Sequence, residues 1–132
     1  MAGRYTIHEE EVAPRELPGR SHRMIIAPDR FGPAQNMSMG TADFPPKTHA
    51  PPHVHAKEEE ILYVLSGFGR MYFDGEPEEI RPGICIYVPP GVEHSIENLS
   101  NEPLRVVYVF SPPVKQGSYD RPGAEAKPAG GS

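Results

Sequence analysis

The sequence predicts an all-β fold, and its proline and glycine content is the first observation behind that prediction. The 132 residues include 17 Pro and 13 Gly, and proline breaks helices because it lacks an N–H and clashes with the preceding turn. The longest proline-free stretch, residues 53–76, is itself interrupted by Gly67, Gly69 and Gly75. Short apolar runs lie between these turn signals, as in sandwiches and barrels. The sequence therefore excludes a helical bundle and favours a single all-β domain of common size.

The chain divides into three predicted segments. Residues 1–30 are mixed in composition and punctuated by prolines, which predicts an N-terminal arm with one short strand at Met24–Ile26. Residues 31–116 contain most of the apolar runs, and we expect them to form a β-barrel. Residues 117–132 lack apolar residues beyond Tyr119 and scattered alanines, so we expect a disordered tail.

Each predicted strand of the barrel segment is a short run closed by a turn signal. A weak strand over residues 36–40 places Met37 and Met39 on the same face. The stronger runs are rich in β-branched and aromatic residues. They are Ile61–Leu65, Arg70–Phe73, Ile84–Val88 and Arg105–Phe110, with a return strand over 78–81.

Turn residues connect these runs. Asp74-Gly75 is the kind of dipeptide that closes a tight hairpin. Pro89-Pro90-Gly91 predicts a type II turn with Pro90 and Gly91 at its central positions. Two further Pro-Pro pairs, at 45–46 and 51–52, give a stiff, extended approach to His53.

Charge and cysteine content limit the setting. Thirteen Lys and Arg against 18 Asp and Glu give a net charge of −5, which disfavours nucleic acid and anionic membranes as partners. Cys85 is the only cysteine, so no intrachain disulfide forms. The first residues lack an apolar signal core, and the longest apolar runs have five residues, against the ~20 needed to span a bilayer. We therefore expect a cytoplasmic protein.

Histidines and one glutamate form the pattern that carries chemistry. His53 and His55 are two residues apart on an extended segment, so their side chains leave the same face. Glu60 begins the next strand, and His94 follows the Pro-Pro-Gly turn. Three imidazole nitrogens and one carboxylate suit one divalent ion, which the spacing leaves open among Zn, Fe, Mn, Ni and Cu.

Two motifs in the chain resemble those of the cupin superfamily. The first reads H-x-H-x4-E-x6-G from His53 to Gly67, with Lys47 where a cupin has an opening glycine. The second, G-x5-P-x-G-x2-H-x3-N, is matched at every fixed position from Gly83 to Asn98. The resemblance implies a single-domain jelly-roll β-barrel with a metal held by four residues. These are His53, His55, Glu60 and His94.

The resemblance also implies an oligomer, since cupins usually pair through their sheets and often exchange an N-terminal strand. We therefore expect a homodimer, with Tyr5–Ile7 and Met24–Ile26 as candidate strands for exchange.

Further side chains are candidates for the pocket around such an ion. His49 has the same parity as His53 and is a candidate acid or base, as is Tyr63. An apolar, Met- and aromatic-rich lining would suit a planar organic substrate. The candidate lining residues are Met37, Met39, Phe44, Leu62, Phe73 and Tyr108.

Three functions are compatible with this ligand set. The first is a redox-neutral enzyme whose metal acts as a Lewis acid on a small carbonyl-containing substrate. It would be a cyclase, isomerase or lyase, and small cupins similar to this chain include cyclases that form aromatic polyketide rings. The alternatives are an Fe(II)-dependent cupin dioxygenase and a non-catalytic module that binds a small ligand.

Overall fold

The computed structural model of the chain describes residues 4–114 and 125–130. In these residues the helical structure is one 3₁₀ turn, Glu9–Glu11, and none of it is long and apolar enough to cross a membrane. The remaining regular structure is β-strand. The strands are β1 (Arg15–Leu17), β2 (Arg20–Ile26), β3 (Ser38–Phe44), β4 (Thr48–His49), β5 (Glu59–Ser66), β6 (Gly69–Phe73), β7 (Glu76–Ile80), β8 (Cys85–Val88), β9 (His94–Asn98), β10 (Leu104–Ser111) and β11 (Lys127–Pro128).

The strands form two antiparallel sheets. One has six strands in the order β1-β2-β3-β10-β5-β8, and the other has five in the order β11-β4-β9-β6-β7. Strands that are neighbours in a sheet are often distant in sequence, as β10 is from both β3 and β5. Two sheets with these crossovers confirm the predicted all-β jelly roll.

The core lies between the sheets, and strict alternation along the strands builds it. In β5 exposed and buried residues alternate from Glu59 to Leu65, because successive side chains leave opposite faces. Leu62 and Val64 point inward and pair across the sheet with Tyr108 and Val106. The inner face of the six-stranded sheet is thus a continuous wall that faces the second sheet.

The two predicted turns have the expected conformations. Asp74 and Gly75 both have positive φ, 49° and 85°, as in the two-residue turns that match the twist of a hairpin. At the second turn, the Val92 N–H lies 3.4 Å from the Pro89 carbonyl, and Gly91 has a φ of 83°. That geometry is a type II turn, which reverses the chain between β8 and β9.

Both predicted terminal segments contribute strands to these sheets. The predicted strand Met24–Ile26 is the end of β2, which pairs with β3 of the same chain, so the six-stranded sheet extends into the arm. Exchange of a strand between two copies stays a prediction. Of the predicted tail, 125–130 are described, and Lys127–Pro128 pairs with β4. The prediction of disorder is therefore wrong for these residues, and 117–124 and 131–132 lie outside the described part of the chain.

Candidate metal centre

Main-chain pairing brings the two histidines of the H-x-H segment to the start of β9. The His53 N–H donates to the His94 carbonyl, and the His94 N–H donates back to His53, both at 2.9 Å. The Gly91 N–H donates to the His55 carbonyl at 2.8 Å. The turn that contains Gly91 therefore fixes both ligand-bearing segments against each other.

Glu60 enters the same space from the opposite sheet. It is the inward-facing residue at the start of β5, on the same face as Leu62, and is 5% exposed. Its Oε1 lies 3.0 Å from Nε2 of His94 and 3.7 Å from Nε2 of His55. Among the described residues, neither Glu60 Oε1 nor His94 Nε2 has a well-aligned hydrogen-bond partner.

The donor atoms of His53, His55, Glu60 and His94 all lie within 4.8 Å of one another. Ligands about 2.0–2.2 Å from one ion can be at most about 4.4 Å apart, so a small contraction brings all four into contact with an ion. His94 Nδ1 lies 2.9 Å from the Val92 carbonyl, and the N–H it donates leaves Nε2 as the atom with a free lone pair. The residues present fit a divalent metal.

Burial prepares these groups electrostatically. Desolvation is the largest of three effects that together lower the pKa of His55 to about 4, and the other two are the charges of His94 and Arg20. The same causes, desolvation first, place the pKa of His53 well below its ordinary value. Desolvation raises the pKa of Glu60, and the neighbouring His94 opposes that rise. Burial thus favours the neutral, metal-binding form of His53 and His55, and a bound cation would favour the carboxylate form of Glu60.

A cavity of about 40 Å³ is lined by three of the four donor residues, His53, Glu60 and His94. Three of the six candidate lining residues, Phe44, Leu62 and Tyr108, line this cavity. A single water needs about 10–15 Å³ of such space, so the interior accommodates about three groups of that size, enough for an ion, its water and the end of a substrate. The half-buried residues Arg20 and His53 mark its mouth.

The structure places the other three predicted lining residues elsewhere. Met37 precedes β3 and is exposed. Met39 alternates with the buried Gly40 in β3, so it lies on the outer face of the sheet. Phe73 is partly buried against the core and lines a separate surface cavity with Ile84 and Val92. The prediction that Met37, Met39 and Phe73 line the cavity is therefore corrected, because none of these side chains points into it.

Neither predicted acid or base reaches the cavity. Tyr63 has the opposite parity to Glu60 in β5 and points outward, 46% exposed. His49 stacks on Tyr72 at a ring distance of 5.0 Å, and its Nε2 lies 3.0 Å from Ser95 Oγ. Tyr72 alternates with buried Met71, so His49 lies on the outer face of the five-stranded sheet. Burial lowers the pKa of His49, with Glu97 opposing, but its position does not suit a role at the cavity.

Arg20 and His22 are polar residues of the cavity that the sequence reasoning did not predict. Arg20 and His22 lie on the inner face of β2 and line the cavity. His22 Nδ1 lies 2.9 Å from the Tyr108 hydroxyl. The available signal was alternation, because Arg20, His22 and Met24 share one parity. The prolines around this segment predict an arm and so conceal the alternation.

The chain belongs to the cupin family. Residues 40–110, more than half of the chain, match the family model described as a cupin domain. This confirms the resemblance drawn from the two motifs, and the structure supplies the jelly roll and the metal-binding group of three histidines and one glutamate.

Comparison with individual proteins gives the same family. An uncharacterized protein of Methanocaldococcus jannaschii is 44% identical over 61 residues, which are 46% of this chain and 49% of that protein. The tetracenomycin polyketide synthase protein TcmJ of Streptomyces glaucescens is 30% identical over 112 residues, 85% of this chain and 74% of that protein. The chain thus spans about half the length of the first relative and about three quarters of the second.

A solved structure shows the same fold. The polyketide cyclase RemF of Streptomyces resistomycificus superimposes with a TM-score of 0.71 at 23% identity, covering 90% of this chain and 85% of RemF. At that identity the likeness concerns the fold, and the arrangement of the sheets is what the two proteins share.

Proposed function

We propose that this chain is a metal-dependent enzyme acting on a small organic substrate that contains a carbonyl group. The observation that carries the proposal is the buried convergence of four donor atoms from both sheets within 4.8 Å. His53, His55, Glu60 and His94 would hold one divalent ion, and Zn, Fe, Mn, Ni and Cu all accept such ligands. When bound, the ion supplies Lewis acidity that polarises a carbonyl and stabilises an enolate.

Ring closure of an aromatic polyketide is the reaction we propose first, with isomerase and lyase reactions as the related classes. The similarity to TcmJ, named as a polyketide synthase protein, supports this order because it covers 85% of the chain. All three reactions need an enolate or its equivalent, so one site serves each of them.

The other residues of the cavity would exclude water and transfer protons. The small volume of the cavity admits only the reacting end of a substrate. The apolar side chains of Phe44 and Leu62 exclude water around that end. The Tyr108 hydroxyl and the His22 imidazole face this space 2.9 Å apart. We assign proton transfer to this pair, since a proton passes between groups in hydrogen-bond contact.

Glu60→Gln provides the test of the metal site, with Glu59→Gln as the matched control. Glu59 is the adjacent carboxylate on the outer face of β5, where it accepts a hydrogen bond from Tyr87. We expect Glu60→Gln to reduce metal affinity at least about tenfold and to abolish anaerobic cyclisation of a linear poly-β-ketone. Metal content by mass spectrometry after reconstitution with each candidate ion measures the first effect.

The proposal fails if no ion is retained under any reconstitution, or if Glu60→Gln binds metal as well as Glu59→Gln does. Oxygen consumption is recorded in parallel. Turnover that requires both Fe(II) and O2 would replace the redox-neutral reaction with a dioxygenase, and metal binding without turnover would leave a binding module.

A further inference from the structure

An arginine stands at the mouth of the metal cavity. Arg20 is the first residue of β2 and is half-buried. It points to the inner side of the sheet together with His22, and both line the cavity that His53, Glu60 and His94 also line. Arg20 and Glu60 are the charged residues among the described residues that line this space.

The turn before β2 is built to hold Arg20 in that position. Gly19 has a φ of 73°, a conformation that side chains resist. A Cβ on Gly19 would lie 2.9 Å from the Ala50 Cα and 2.8 Å from the Ala126 Cβ. The turn therefore packs directly against the chain that leads to His53, and the absence of a side chain at position 19 is what permits it.

Two further observations concern the guanidinium of Arg20. Its Nη1 donates a hydrogen bond to the Pro18 carbonyl at 3.3 Å, which holds the guanidinium against its own turn. Its charge contributes to lowering the pKa of His53 and His55 and favours ionised Glu60. The guanidinium thus acts on the groups that face the cavity, and its field reaches a substrate placed among them.

We propose that Arg20 binds a carboxylate of the substrate, so that the substrate class is a carbonyl compound that also carries a carboxylate. This inference rests on the proposed function, because it names the substrate class of the same site. Arginine remains charged at all physiological pH values, and its fork of N–H donors matches the two oxygens of a carboxylate.

The geometry sets the orientation of such a substrate. The interior of about 40 Å³ takes the carbonyl end, next to the four donors. The carboxylate stays at the half-buried mouth, where Arg20 and His53 lie. Between them the substrate contacts Phe44, which also lines the cavity. A neutral substrate of the same shape lacks one of these two anchoring interactions.

Binding of 4-oxopentanoate and of its methyl ester tests this inference. The acid carries both a ketone and a carboxylate, whereas the ester keeps the ketone and loses the charge. We expect the acid to bind more tightly than the ester, and Arg20→Gln to weaken binding of the acid by about 10- to 100-fold. Calorimetric titration measures both, in metal-loaded and in metal-free protein.

Arg23→Gln is the matched control, because Arg23 is on the outer face of the same strand and pairs with Glu9. It should leave binding of the acid unchanged, and Arg20→Lys should retain part of it. Far-UV circular dichroism and metal content of the variants show whether the fold and the metal site persist.

The metal-free protein separates this inference from the proposed function. Acid binding that depends on Arg20 and survives metal removal supports the inference even where turnover is absent. Acid binding that disappears with the metal, or that is equal in wild type and both Arg20 variants, overturns it and assigns the carboxylate to the ion.

Discussion

At the scale of single residues, burial explains why these histidines suit a cation site. His55 is 4% exposed, and desolvation lowers its pKa to about 4. A solvated histidine is partly protonated near neutral pH, and the proton competes with a metal for the same nitrogen. Burial removes that competition, but the folded protein cannot take up the proton that the unfolded chain accepts.

Stability of the metal-free protein should therefore depend on pH through His55. Its pKa moves from 6.5 to about 4 on folding, so between these values the unfolded chain binds more protons. The free energy of unfolding thus falls as pH falls through this window. We expect His55→Asn to flatten that dependence, measured by urea unfolding at pH 7, 6 and 5.

The matched control for this prediction is His8→Asn, since His8 is exposed at the N-terminal turn. Glu60 has a raised pKa, so its protonation increases the free energy of unfolding as pH falls. This effect is present in the wild type and in both variants. An equal slope in wild type and His55→Asn would contradict the account.

At the scale of strands, β3 is shaped around one side chain of its neighbour. Tyr108 in β10 pairs with Gly40 in β3, and its ring crosses that residue to reach His22 and the Arg23 carbonyl in β2. A Cβ at position 40 would lie 2.5 Å from the Tyr108 hydroxyl. The missing side chain therefore permits the hydrogen bond to which we assign proton transfer.

Gly40→Ala should consequently destabilise the protein strongly. Overpacking of a core usually reduces the free energy of unfolding by about 1–3 kcal/mol, and here the added Cβ also meets the Arg23 carbonyl. We expect a loss of about 3 kcal/mol or more by denaturant unfolding. Met39→Leu, on the outer face of the same strand, should change it by less than about 1.5 kcal/mol. Equal losses in the two variants would refute the steric argument.

Strand alternation also decides which parts of the site the sequence predicts. The four candidate metal ligands can be predicted because their spacing is fixed within short motifs, from His53 to Glu60 and around His94. Tyr63 was wrongly chosen, although its parity in β5 already opposes that of Glu60. The position of His49 depends on the pairing of β4 with β9, and local pattern does not contain that information.

At the scale of the whole molecule, the sequence predicts strands that have a strong local pattern but not those that depend on pairing between distant segments. The strong runs appear as β5, β6, β8 and β10 within one or two residues at either end. Strands β4 and β11 have two residues each and are defined by their pairing, β11 with β4 and β4 with β9. Their sequences carry no strand pattern, so contacts made only after folding define them.

The outer face of the six-stranded sheet is where the predicted homodimer can be tested. Ile61, Tyr63, Leu65 and Tyr87 are 43–55% exposed there, and Ile61 pairs directly with Tyr87 across β5 and β8. Exposed apolar neighbours of this kind mark contact surfaces. We expect a dimer by light scattering and a monomer for Ile61→Glu.

Glu78→Lys is the control for that measurement, because Glu78 is exposed in β7 of the other sheet and its substitution should leave the dimer intact. A monomeric wild type contradicts the homodimer. A dimeric Ile61→Glu variant would exclude this face as the interface.

The main-chain bridge between His53 and His94 also affects how fast a metal exchanges. Residues joined by backbone hydrogen bonds keep their relative positions when a chelator removes the ion, so rebinding does not wait for the chain to fold. Its rate is then set by the release of water from the incoming ion and by passage through the cavity mouth. Such a preformed site would select its metal through the fixed geometry and type of its ligands, together with the supply of ions in the cell.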